Sequence, residues 1–79
     1  MKLKVKTFGI TRDILGGRFV EIEFPDDTVS SLRSELNRKY PELEGLRSLF
    51  VAVNNQYAED SQKISSTDEI ALIPPVSGG

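Results

Sequence analysis

Apolar and polar residues alternate at the start of the chain, where Leu3 and Val5 stand between Lys2, Lys4 and Lys6 in the stretch Met1 to Phe8. A period of two sends successive side chains to opposite faces, so this stretch predicts a strand with one buried face. Arg18 to Phe24 repeats the pattern, with Val20, Ile22 and Phe24 on one side and Glu21 and Glu23 on the other. Gly16-Gly17 marks a turn between the two, and together they read as an antiparallel hairpin with a long loop.

The period then changes. Val29, Leu32, Leu36 and Tyr40 recur at spacings of three, four and four, which predicts a helix over about residues 28–40. Pro25-Asp26-Asp27-Thr28 precedes it as a breaker with helix-start residues; Thr28 is the better N-cap and Asp27 the alternative. Pro41 ends it, because proline disfavours helical geometry at Tyr40 and brings no amide donor. Pro41 to Ser48 reads as a loop or broken helical turn, with Leu43, Leu46 and Leu49 as satellites of the core. Phe50 to Val53 is a continuous apolar strand, Asn54-Asn55 a turn toward a short strand near Tyr57, and Ile70 to Ile73 the last strand. Five strands with one substantial amphipathic helix make an α+β domain. The expected fold is a ubiquitin-like β-grasp, a mixed sheet wrapped over one main helix. Residues 1–73 form the domain and residues 74–79 a flexible, extended C-terminal tail.

Composition narrows what such a domain can do. A chain of 79 residues buries only ~60–65% of its unfolded surface, enough for one core. It has no cysteine and no histidine. That removes disulfides, the usual zinc ligands, a thiol nucleophile and any Ser-His or Cys-His pair. A formal charge of −2 gives no electrostatic case for nucleic acid or an anionic membrane. No apolar run approaches the ~20 residues of a membrane span. The lysines at 2, 4 and 6 precede no apolar block, so no signal peptide is expected and the cytoplasm is favoured. Asp26, Asp27, Glu42 and Glu44 lack the convergent spacing a hard cation needs, so no metal site is expected.

Chemistry concentrates in the tail, Pro74-Pro75-Val76-Ser77-Gly78-Gly79. The two prolines end the strand and also stiffen its departure, at ~3.1 Å per residue. Six residues reach ~20 Å at most, enough to enter a partner's pocket. Two glycines leave no side chain beside the last carboxylate, so the backbone fits a narrow channel. A carboxylate is a poor electrophile until activated, for example by ATP to an acyl-adenylate. Sulfide attack on that adenylate would give a thiocarboxylate, and none of this needs a histidine or cysteine on the carrier.

Docking the domain needs an exposed apolar surface on the sheet face away from the helix. Alternation places Phe8 on that face with Lys4 and Lys6, and Ile73 opposite Ile70 and Leu72; Tyr57 lies nearby. Phe8, Tyr57 and Ile73 are the candidate docking patch, the alternative being that they cap the edge of the core.

From VNNQY through TDEIALIPPVSGG the chain resembles the MoaD-type sulfur carriers, the small subunits of molybdopterin synthase. The likeness extends upstream through TVSSLRSELNRKYP and FGITRDILGG, and PPVSGG is its distinctive part. A bare Gly-Gly is shared with ubiquitin, ubiquitin-related modifiers and ThiS-type thiamine sulfur carriers, which generally lack the double proline. The resemblance implies that an E1-like (MoeB-type) enzyme uses ATP to adenylate Gly79, which then becomes a thiocarboxylate. The tail, Pro74 to Gly78, would insert into the large (MoaE-type) subunit. Sulfur would pass there to cyclic pyranopterin monophosphate to build the molybdopterin dithiolene, in a heterotetramer with two small subunits. Catalytic side chains would belong to the large subunit, and this chain would bind no cofactor. Arg12 lies in the segment resembling the family's loop, either pairing with an acidic partner residue or standing as a solvated charge.

Two departures bear on geometry. Ser66-Thr67-Asp68 stands where Asp-Gly-Asp is common, which puts that turn's conformation in question, and Asn54-Asn55 stands where Asn-Gly is frequent. Competing readings of the same terminus are a protein modifier joined to lysines, a thiamine-type carrier, and an interaction module with an inert end.

Overall fold

A computed structural model describes residues 1–46 and 48–75. Its elements are β1 (Lys2–Thr7), α1 (Ile10–Leu15), β2 (Phe19–Glu23), α2 (Val29–Lys39), a 3-10 turn at Pro41–Gly45, β3 (Phe50–Val53), β4 (Gln56–Tyr57) and β5 (Ile70–Ile73). The five strands form one sheet in the order β2-β1-β5-β3-β4. β5 runs parallel to β1, and the other pairings are antiparallel, so the sheet is mixed as expected.

The alternating strands bury one face. Leu3, Val5, Ile22, Val51, Val53, Ile70 and Leu72 meet Val29, Leu32 and Leu36 of α2 in a single core. Tyr40 and the satellites Leu46 and Leu49 pack around it half-buried, while Leu43 is fully buried. Thr28 is the N-cap: its Oγ1 accepts a hydrogen bond from the Ser31 amide at 3.2 Å. Distant backbone satisfies more of that end, since the Val29 and Ser30 amides donate to the carbonyls of Gln62 and Asp60, both at 2.9 Å. In return the Ile64 amide donates to the Asp27 carbonyl at 2.7 Å, which seats the buried Ile64 side chain as a plug in the polar 61–69 segment.

The long loop expected between β1 and β2 is instead built around a six-residue helix, α1. Thr11, wholly buried, donates through its hydroxyl to the Phe8 carbonyl at 2.6 Å and accepts from the Phe8 amide at 2.9 Å. Leu15 enters the core and Gly16 closes the helix in the left-handed conformation, φ 88°. A helix this short shows too little periodicity for an apolar stripe, and a threonine carries half of its buried contacts. Asn54 and Asn55 both have positive φ, 52° and 68°, as a type I′ turn between β3 and β4 requires.

Leu32→Ala should cost about 2–5 kcal/mol, through lost burial and an unfilled cavity under the sheet. Thr28→Ala should cost about 1 kcal/mol. Urea unfolding of the two variants beside the parent checks both values and their order.

Candidate partner-docking site

The strand register sorts the face away from α2 into rows. Phe50 lies opposite Ile73 and Ala52 opposite Ala71 across β3 and β5. Lys6 lies opposite Ala71 across β5 and β1, and opposite Phe19 across β1 and β2. Ala52 also faces Tyr57 of β4. The row at the end where the chain leaves β5 therefore holds Phe50 and Ile73, with Phe8 following β1. The next row holds Tyr57, Ala52, Ala71, Lys6 and Phe19. Further along, Lys4 pairs with Glu21 and Lys2 with Glu23. The face is apolar at the tail end and ionic at the other.

Four rings stand out from this apolar end: Phe8 is 40% exposed, Phe19 56%, Phe50 45% and Tyr57 69%. Three of them, Phe8, Phe19 and Tyr57, line a depression of about 510 Å³ together with Ala52, Ala71, Ile73, Lys4, Lys6, Asp68 and Glu69. Phe8, Tyr57 and Ile73, proposed from sequence as one patch, line this depression together. Arg12 lines a neighbouring hollow of about 400 Å³ with Lys6 and Arg18, and the two hollows share Phe8 and Phe19. Phe19 and Phe50 were missed, although strand parity carries the signal. Phe19 alternates against Val20 and Ile22, and Phe50 against Val51 and Val53.

The root of the tail is held closely. Gly9 adopts φ 55°, ψ −128°, a backbone state open essentially to glycine. A β-carbon there would also lie 3.4 Å from Cγ of Pro74. Pro74 and Pro75 are both half-buried. The insertion role expected of Val76, Ser77 and Gly78, and the activation expected at Gly79, concern residues outside those described.

The turn before β5 closes without glycine. The Asp68 carboxylate accepts from the Ser65 amide at 2.8 Å and from the Asn54 side-chain amide at 3.0 Å. The Asn54 side-chain oxygen accepts from the Glu69 amide at 2.9 Å, clasping the start of β5 to the end of β3. None of Ser65 to Asp68 has positive φ, so the missing glycine leaves no strain there. The Ser65 amide first, and then the Asn54 side chain, hold the Asp68 carboxyl below its ordinary pKa. Among the described residues no group of three or more acidic side chains is placed to hold a metal ion. No helix among them is long and apolar enough to cross a membrane.

A model of the ThiS family matches residues 5–79. The chain belongs to the ThiS family. A curated family relative from Arabidopsis thaliana, a molybdopterin synthase sulfur carrier subunit, is 37% identical over all of this chain and 84% of its own length. Among solved structures, this ThiS-family chain is similar to the small archaeal modifier protein SAMP1 from Haloferax volcanii, with a TM-score of 0.82 and 28% identity over the whole of both chains. It is also similar to a chain in the complex of subunits 1 and 2 of the molybdopterin-converting factor from Helicobacter pylori, with a TM-score of 0.68 and 28% identity over the whole of both chains. The β-grasp expected from the apolar pattern is the fold these relatives share.

Because the folded state depresses the Asp68 pKa, the carboxylate's contribution is complete above the unfolded-state value and is lost as pH falls through the folded one. Asp68→Asn should therefore flatten the acid limb of stability against pH. Urea midpoints taken from neutral to strongly acid pH test this, and parallel curves for parent and variant would refute it.

Proposed function

We propose that this chain is the sulfur-carrying small subunit of a molybdopterin synthase, with Gly79 as the residue that is charged. The observation that carries the reading is the exit of β5. That strand is hydrogen-bonded on both sides and leads into Pro74 and Pro75 at the apolar end of the open face. The likeness to the Arabidopsis sulfur carrier subunit supports it over the full length of the chain.

In this reading the Gly79 carboxylate attacks the α-phosphorus of ATP in an E1-like partner, and pyrophosphate leaves. Sulfide then attacks the carbonyl carbon of the acyl-adenylate and AMP leaves, so a thiocarboxylate remains. The large subunit receives the charged tail, the thiocarboxylate sulfur bonds to cyclic pyranopterin monophosphate, and water cleaves the acyl–sulfur bond, returning Gly79 to a carboxylate. Two such deliveries build one dithiolene. The domain binds and aims, while the bond-making side chains belong to the partners. This division suits a chain without histidine or cysteine. ATP is the activating partner's substrate, this chain holds no cofactor of its own, and the work takes place in the cytoplasm. A large-subunit partner is supported by the Helicobacter pylori complex, whose subunits 1 and 2 are bound together.

The similarity to SAMP1 favours a second reading, a protein modifier whose Gly79 is joined to lysines. Both readings share the activation step and differ in the nucleophile that ends it.

Incubation with ATP, an E1-like enzyme and a sulfur donor should raise the intact mass by the difference between one sulfur and one oxygen, with the gain on the last peptide. Adding the large subunit and the pterin precursor should reverse it. A chain that never gains sulfur would defeat the reading, and Gly-Gly remnants on lysines of other proteins would establish the modifier instead. Deleting Gly79 should move folding stability by no more than about 0.5 kcal/mol and abolish the mass gain.

A further inference from the structure

The turn that follows β1 is locked by one residue. Gly9, at φ 55°, ψ −128°, has the dihedrals of the first central position of a type II′ turn, a place glycine fills. The Thr11 amide closes that turn on the Phe8 carbonyl at 3.1 Å. The Thr11 hydroxyl adds two more bonds, donating to the same carbonyl at 2.6 Å and accepting from the Phe8 amide at 2.9 Å. Thr11 is wholly buried, and among the described residues its hydroxyl bonds to Phe8 alone.

This turn stands where the β1–β5 ladder stops. The register runs from Val5↔Ile70 to Thr7↔Leu72, and its next step would pair Phe8 with Ile73. The Thr7 amide points to β2, donating to the Arg18 carbonyl at 2.9 Å. Alternation therefore points the Phe8 amide and carbonyl toward β5. The next donor to that carbonyl would be the amide of residue 74, and proline has none. Thr11 takes up both Phe8 groups instead. The ladder is succeeded by a packed contact, since a β-carbon on Gly9 would lie 3.4 Å from Cγ of the half-buried Pro74.

We propose that Thr11 is a positioning residue for the sulfur-carrying tail. Its hydroxyl holds the Phe8–Gly9 turn as a stop, Pro74 seats against that stop, and the chain leaves β5 on one heading. The inference rests on the sulfur-carrier reading and extends it to a buried residue that touches neither ATP, sulfur nor pterin. A docked domain delivers its carboxylate only if the root of the tail points into the partner's channel. A root free to swing leaves docking through the open face unchanged. It lowers the fraction of docked chains whose carboxylate lies in line with the α-phosphorus. The loss then falls on kcat and not on KM.

The test compares the full chain with two variants, at a temperature where thermal melts show all three folded. Thr11→Val keeps the volume and loses the hydroxyl, while Thr11→Ser keeps the hydroxyl and loses a buried methyl. Pyrophosphate release by the E1-like enzyme, measured against carrier concentration, gives kcat and KM. Thr11→Val should lower kcat about tenfold or more with KM within about twofold of the parent. Thr11→Ser should keep kcat within about threefold even if it melts lower, because the bonds to Phe8 remain. Nuclear Overhauser contacts between the Gly9 α-protons and the Pro74 ring should be present in the parent and the serine variant and weaken in the valine variant. If Thr11→Val does not fold, Gly9→Ala disturbs the same turn through its backbone and should give the same loss of kcat. Equal losses in the serine and valine variants, or losses that follow the melting temperatures, would mean that Thr11 serves stability alone and would overturn the inference. So would a valine variant that keeps the parent's kcat, or one that loses kcat with the Gly9–Pro74 contacts intact; the sulfur-carrier reading survives each of these. If the parent itself releases no pyrophosphate, that reading falls and the inference falls with it.

Discussion

The packing of α2 on one face of the sheet is the interaction on which the rest depends. Val29, Leu32 and Leu36 are covered by residues from β1, β2, β3 and β5 at once, so a single helix ties together strands far apart in sequence. Among the described residues no second helix of comparable length is available to lie on the other face. The exposed apolar end is thus a consequence of economy in length as much as of purpose. The proposed function uses what the fold leaves uncovered. Four rings in two adjacent rows give the surface its area, and the lysines and carboxylates around them keep it from being uniformly greasy.

The placement of β5 brings Pro74 and Pro75 out at the apolar end of that surface. β5 enters late in sequence but lies in the middle of the sheet, between β1 and β3. Its start is clasped by Asn54 and Asp68, and its exit passes Gly9, whose positive φ disfavours any side chain. The direction in which residue 74 leaves is set from both ends of the strand. In the ThiS family, to which this chain belongs, the fold serves carriers and modifiers alike.

Much of this was legible beforehand, for physical reasons. Period-two alternation under Leu3 and Val5, and the stripe from Val29 to Tyr40, are long enough to announce a strand and a helix, and Thr28 and Pro41 mark the ends of α2. α1 was not legible, because six residues held by a threonine hydroxyl and one leucine leave no periodic trace. The Ser65–Asp68 turn was unreadable for another reason. Its conformation is stabilised by Asn54, a residue far away in sequence, so local composition carried too little information. For the site, parity located Phe8 and Ile73, while Phe50 was hidden within a continuous apolar run and Phe19 stood in the parity of Glu21 and Glu23, on the side read as polar. Which rings share a row depends on register, and register emerges only when the strands pair.

The central position of β5 also has a mechanical meaning. A partner that grips the tail and the apolar end of the face holds one strand and the body around it. Tension on the tail then acts along β5, parallel to its ladders with β1 and β3, and the backbone hydrogen bonds on both flanks share the load in shear. An edge strand such as β4, with two residues and one neighbour, would peel away one bond at a time. Pro74 and Pro75 therefore follow the strand where the sheet best resists being pulled, which on the proposed reading lets a carrier be threaded, clamped and withdrawn repeatedly while its domain stays folded.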